Sequence, residues 1–191
     1  SEVILSVDIE MLLEESQKTN AVVQLIPVVG DFVGKDEPLF ALYGNVSGLD
    51  ENVLASSIHF GIERTLEQDP TFAFRIILDI ALKALSPAIN DPTTAVLAID
   101  QLHRLLRSVG KRNLRTDSIT DESGKLRVIF RTPNWEDFVN LACTELRRYG
   151  ADSIQVVRRL RAMIENLIRT LPEDRHAALQ AQLALLDHAI K

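Results

Sequence analysis

The chain has 191 residues, 46% of them hydrophobic and 25% charged, with a formal net charge of -6. This length and balance exclude a disordered chain and allow one well-buried core with a small appendage, while the acidic excess argues against nucleic acid as a partner, since phosphates demand a basic face. No run of about 18 uncharged apolar residues reads as a membrane span, and the opening SEVILSVDIE is acidic where a signal peptide is basic and then apolar, so a soluble domain is expected.

From Asp8 the spacing of Ile9, Leu12, Leu13 and Ser16 predicts a short amphipathic helix with Asp8 as its N-cap. Residues 21–46 change character, with β-branched residues between turn signals at Pro27, Gly30-Asp31 and Lys35-Asp36-Glu37-Pro38, and predict three or four short strands. The run GDFVGKDEPLFAL resembles half of a barrel-sandwich hybrid, the β fold of lipoyl and biotinyl carriers. A carrier needs a lysine at an exposed hairpin tip, and YGNVSGLD offers none, so the element reads as scaffold.

Asp50 to Gln68 reads as helix, with Val53, Leu54, Ile58, Ile62 and Leu66 at helical spacing, until Asp69-Pro70 breaks it. In residues 72–85, steps of 100° place Arg75, Asp79 and Lys83 within an arc of about 80° on an otherwise apolar helix. Such a helix is expected to be central and buried nearly all round. Ser86-Pro87 ends it, and Asp91-Pro92 supplies the cap and first turn of the next, which runs to about Val109.

A β-hairpin is expected near 113–131 around TDESG, with Leu126, Val128 and Phe130 alternating against Arg127, Ile129 and Arg131. Asn134 and Asp137 cap a helix over about 135–149 that Gly150 stops. Two final helices carry stripes at Val157, Leu160, Ile164, Leu167 and at Leu179, Leu183, Leu186, Ile190, with Thr170 and Glu173 as a capping box between them. The expected class is α+β, mostly α: residues 1–48 form a short helix and a small barrel-sandwich-like β element, and 49–191 a helical body with one β-hairpin.

Arg75, Asp79 and Lys83 follow i, i+4, i+8 spacing, a pattern that serves as a structural ion-pair stripe. The sharper reading adds Arg64 and Asp69 from the preceding turn and Asn90, Asp91 and Thr94 from the following corner, converging on a pocket for a small anionic ligand. Asn-Asp-Pro is also sufficient as a turn and cap signal by itself. The four histidines, His59, His103, His176 and His188, show no pairing with a nucleophile, and no His-x-x-x-His spacing marks a metal site, though Asp100 with His103 remains open. The single cysteine, Cys143, excludes an intramolecular disulfide and suits a reducing compartment. No cofactor is expected. Arg147, Arg148, Arg158, Arg159 and Arg161 form the one basic concentration, read as a solvated ion-paired face or as a contact for anionic lipid headgroups.

With these residues laid out, the chain resembles the soluble C-terminal part of the bacterial predicted-membrane-protein family known as domain of unknown function 2254. The resemblance rests on VDIEMLL, the GDFV and PLF turn pair, and GIERTLEQD followed by FAFRIILDIALKALSPAINDPTTA. These carry the family pattern at Arg64, Thr65, Gln68, Asp69, Ala84, Leu85, Ser86, Pro87, Asn90, Asp91 and Pro92. Phe72-Ala73-Phe74 departs from it, since a glycine is expected after the first phenylalanine. The resemblance implies a parent protein of the bacterial inner membrane with transmembrane helices outside this chain, and it implies no reaction. Scarce cysteine and abundant charge point to the cytoplasm for this part.

Three functions follow as expectations. The first is a noncatalytic sensory or assembly domain of a membrane protein, forming a homo-oligomer. The second is a small-ligand or anion receptor coupled to transport, and the third a hydrolase or transferase with Asp69, Asp79 or Asp91 as general base.

Overall fold

The computed structural model describes residues 2–63, 69–114 and 117–189. Among these, seven α-helices and seven strands in two small sheets form two compact units, neither sheet closing into a barrel. The fold is α+β and mostly α, as the sequence patterns indicate.

The first unit comprises residues 1–72 and 115–132. It opens on β1 (Glu2–Val7), a strand the sequence reading missed although EVILSV buries Val3, Ile4 and Val7. Next comes α1 (Ile9–Thr19), capped by the Asp8 carboxylate, which accepts from the Met11 N–H at 3.0 Å, and closed by Asn20 in the left-handed region at φ 59°. Then follow β2 (Ala21–Leu25), β3 (Phe32–Val33) and β4 (Phe40–Gly44), where three or four strands were expected between 21 and 46. They are shared between two open sheets instead of forming a barrel-sandwich half, because β3 pairs with β1 while β2 pairs with β4.

The helix expected from Asp50 to Gln68 is cut short. It ends as α2 (Glu51–Ser56), and Ile58–Gly61 is β5, antiparallel to β1 with Val7 opposite Ile58. Ile58 is buried as a strand residue, so its helical spacing to Leu54 was coincidental. Residues 64–68, which end the expected helix, lie outside the described residues.

The hairpin near 113–131 exists as β6 (Ser118–Thr120) and β7 (Leu126–Ile129). It does not join the helical body, because β7 pairs in parallel with β2, Val23 opposite Val128, and extends that sheet in the order β4-β2-β7-β6. The alternation within it also differs from expectation: Leu126 is exposed while Arg127 is buried. The reason is an ion pair, since Arg127 Nε donates to Asp121 Oδ2 at 2.7 Å and Asp121 Oδ1 accepts from the N–H groups of Ser123 and Lys125. The core of this unit gathers Ile4, Leu12, Val23, Leu54 and Val128.

The second unit comprises residues 73–114 and 133–191. Its helices are α3 (Pro70–Ala84, first three residues counted with the first unit), α4 (Pro92–Val109), α5 (Trp135–Tyr149), α6 (Ile154–Thr170) and α7 (His176–Ala189). The Asn134–Asp137 capping box of α5 is present in both directions, and Asp91 with Pro92 starts α4. Thr170 is no cap. It sits in the last turn of α6 and donates its hydroxyl to Asn166 O at 2.9 Å, and a short 3-10 turn over Glu173–Arg175 leads into α7. Ile190, the last position of the stripe expected there, lies outside the described residues. The core is aliphatic, built from Leu78, Ile99, Leu102, Leu106, Leu146, Leu160 and Leu167 around Trp135 and the Phe74–Phe138 pair, whose centroids lie 5.1 Å apart.

Candidate functional site

α3 is the helix that was expected to be buried nearly all round, and it is not. Phe74, Leu78, Ala81 and Ala84 face the core, while Ile76, Asp79, Ile80 and Lys83 are exposed on the opposite face. Arg75 lies between the two faces. Its guanidinium donates to Asp79 at 2.8 Å and to Glu145 Oε1 of α5 at 2.6 Å, and these pairings, Glu145 foremost, raise its already high pKa. Arg75 and Asp79 are 39% and 55% exposed, so their interaction is screened by water.

The bend after α3 is held by its own backbone. Ser86 O accepts from the N–H groups of Ile89 and Asn90, Asn90 adopts φ 47°, and Asp91 N–H reaches back to Ala84 O at 2.8 Å. Asp91 then accepts from both the backbone and the hydroxyl of Thr94. Those bonds, the hydroxyl's first, hold the Asp91 carboxyl below the usual carboxylate range. Asp69 serves the start of α3 in the same way, accepting from the Thr71 hydroxyl at 2.6 Å and the Phe72 N–H at 3.1 Å.

The seven residues proposed from sequence therefore fall into separate groups. Arg75 and Asp79 form a pair with Glu145; Asn90, Asp91 and Thr94 form a turn and cap; Asp69 belongs to the first unit; Arg64 lies outside the described residues. Among the described residues no hydrogen bond or ion pair joins Arg75 or Asp79 to Asn90, Asp91 or Thr94.

A polar network that sequence spacing barely signalled links α4 to α6. Arg159 Nε donates to Asp100, its Nη2 lies 2.9 Å from His103 Nδ1, and His103 Nε2 lies 3.0 Å from Asn166 Oδ1. An arginine only donates, so Nδ1 is the acceptor and Nε2 carries the proton that Asn166 receives. Burial above all, with the nearby Arg159 and Arg107, pushes the imidazole below its ordinary pKa, against the pull of Asn166 and Asp100. The open possibility of a metal at Asp100 and His103 has no further ligand: among the described residues no group of three or more His, Cys, Asp and Glu side chains could hold an ion.

The other histidines are also accounted for. His59 is exposed on β5 instead of a helix, His176 bonds Leu171 O at 2.9 Å, and His188 is exposed on α7. Arg175 is a structural hub that the sequence did not reveal. It donates to Gly110 O and Arg112 O beyond the end of α4, and its own carbonyl accepts the Trp135 indole N–H at 2.8 Å.

A small β-rich unit and a helical unit define an α+β chain that is mostly α. The chain belongs to the family described as predicted membrane protein (domain of unknown function 2254), which matches residues 1–166. It is 30% identical over 191 residues to uncharacterized proteins of Mycobacterium tuberculosis and Mycobacterium bovis, covering 96% of this chain and 37% of theirs. The chain thus spans little more than a third of the length of these relatives. No solved structure matches it. No helix among the described residues is long and apolar enough to cross a membrane.

Proposed function

We propose that this chain is the extramembrane, noncatalytic assembly domain of a bacterial integral membrane protein, and that it self-associates through the outer face of α3. The observation that carries the reading is the pair Ile76 and Ile80, one helical turn apart and about half exposed although α3 is otherwise a core helix. Leaving two isoleucines in water forgoes burial worth roughly 1.5–3 kcal/mol for each fully covered side chain. Lys83 lies exposed beside them, and Asp79 there is already paired with Arg75, so a copy related by a two-fold axis would meet the isoleucines of this face with its own.

The noncatalytic part of the reading is supported by what the polar groups already do. Asp79 pairs with Arg75, Asp91 caps α4, Asp69 caps α3 and His103 is held on both ring nitrogens. Each is committed to the architecture of one unit. Size-exclusion chromatography with light scattering tests the proposal: a mass above that of one chain supports it, and a single-chain mass at high concentration overturns it.

A further inference from the structure

Tyr149 ends α5 and Ile154 begins α6, and they are the two most exposed large apolar side chains described in the helical unit, at 63% and 67%. The link between them is tightly closed. Gly150 N–H donates to Leu146 O at 2.8 Å, Ser153 N–H donates to Gly150 O at 3.0 Å, and Ser153 caps α6. A Cβ on Gly150 would stand 2.6 Å from Leu146 O and collide with Val156, so the approach of the two helices needs glycine here. The two apolar side chains are therefore presented by a firmly built corner.

Arg148 precedes Tyr149, and Arg158 follows Ile154 by one helical turn; both are exposed. Arg147 is half-buried and its Nε has no acceptor. Among the described residues none of these three forms an ion pair, whereas Arg159 and Arg161 are tied to Asp100 and Asp187. Glu145, the carboxylate nearest in sequence before the corner, is taken by Arg75. Asp152 is exposed in the link itself, and no ion pair joins it to the arginines. A chain of net charge -6 thus carries unpaired cations beside the most exposed apolar residues of this unit.

That combination matches one chemistry. A tyrosine ring settles at the headgroup level of a bilayer, an aliphatic side chain enters the acyl boundary, and guanidinium groups meet phosphate diesters. We propose that the α5–α6 corner, through Tyr149, Ile154, Arg148 and Arg158, docks on an anionic phospholipid surface. This rests on the chain belonging to a membrane-protein family and is independent of self-association through α3. The ion-paired Arg159 and Arg161 are structural and take no part.

Co-sedimentation of the 191-residue chain with vesicles tests it, using phosphatidylcholine alone and phosphatidylcholine mixed with phosphatidylglycerol. Binding is expected to the mixed vesicles, weakened by salt. At about 1 kcal/mol for each basic side chain, the double variant Arg148→Gln/Arg158→Gln weakens it roughly 30-fold. Tyr149→Ser/Ile154→Ser weakens it as well, while Arg161→Gln leaves it unchanged, and thermal melts verify that each variant is folded. Absence of binding to the anionic vesicles, equal binding to both vesicle types, or binding that neither double variant diminishes overturns the proposal. Light scattering on the same samples reads self-association separately, so the two readings fail independently.

Discussion

Arg75 on α3 is bonded to Glu145 on α5 at 2.6 Å, a shorter contact than the 2.8 Å it makes with Asp79 on its own helix. The cation that looked, from helical spacing, like the rim of a ligand pocket is a tie between two helices of one unit. Because both carboxylates and the guanidinium are partly exposed, the tie orients α3 more than it stabilises it. A double-mutant cycle over Arg75→Ala and Glu145→Ala is expected to give a coupling of about 0.2–1 kcal/mol in urea unfolding.

Asp121 behaves differently because its ion pair with Arg127 is shielded within the β unit. Hydrogen bonds from Ser123, then Arg127 and Lys125, hold its carboxyl far below the ordinary value of 3.8. A depressed carboxyl pKa gives stability that is complete above the unfolded value and is lost as pH falls through the folded one. Urea unfolding followed across that acid range is expected to show a loss of stability in the wild type that is shallower in Asp121→Asn, with Asp121→Asn already weaker at neutral pH.

His103 has the opposite chemistry and the same direction of pH dependence. Its folded pKa lies below the ordinary 6.5, so on acidification the unfolded chain takes up a proton that the folded chain resists. Its contribution is complete above about pH 6.5 and falls as pH drops from there toward the folded value. A protonated ring would also turn Nδ1 into a donor against Arg159. NMR titration of the imidazole is expected to give a midpoint below 6.5, and His103→Gln to flatten the pH dependence of stability in that window.

Cys143 is fully buried in the helical core, and burial pushes its thiol up to about 12. Reactivity follows the thiolate, so the native chain is expected to resist a thiol reagent at neutral pH and to react stoichiometrically in urea. Reaction of the native chain at the rate of a free thiol would contradict the packing around Leu146 and Phe138.

Most of the helical unit was legible because its signals are local. Asp91-Pro92, the Asn134–Asp137 box and Gly150 each fix a helix end through bonds within four residues, and these appear where expected. What stayed hidden depends on distant partners. Ile58 is a strand residue because β1 lies beside it, and Arg127 points inward because Asp121 waits there. The hairpin pattern could show that β6 and β7 pair with each other, not that β7 would choose β2 as its parallel neighbour. α3 misled for a further reason: its apolar residues outnumber the core positions available in one chain, so periodicity registered burial on a face that is open.

Self-association is proposed through that open face, and sedimentation equilibrium of the wild type beside Ile76→Ser/Ile80→Ser decides it. The wild type is expected to be heavier than one chain and the variant to have a single-chain mass with an intact thermal melt. Equal masses for the two, whether both monomeric or both associated, would contradict it.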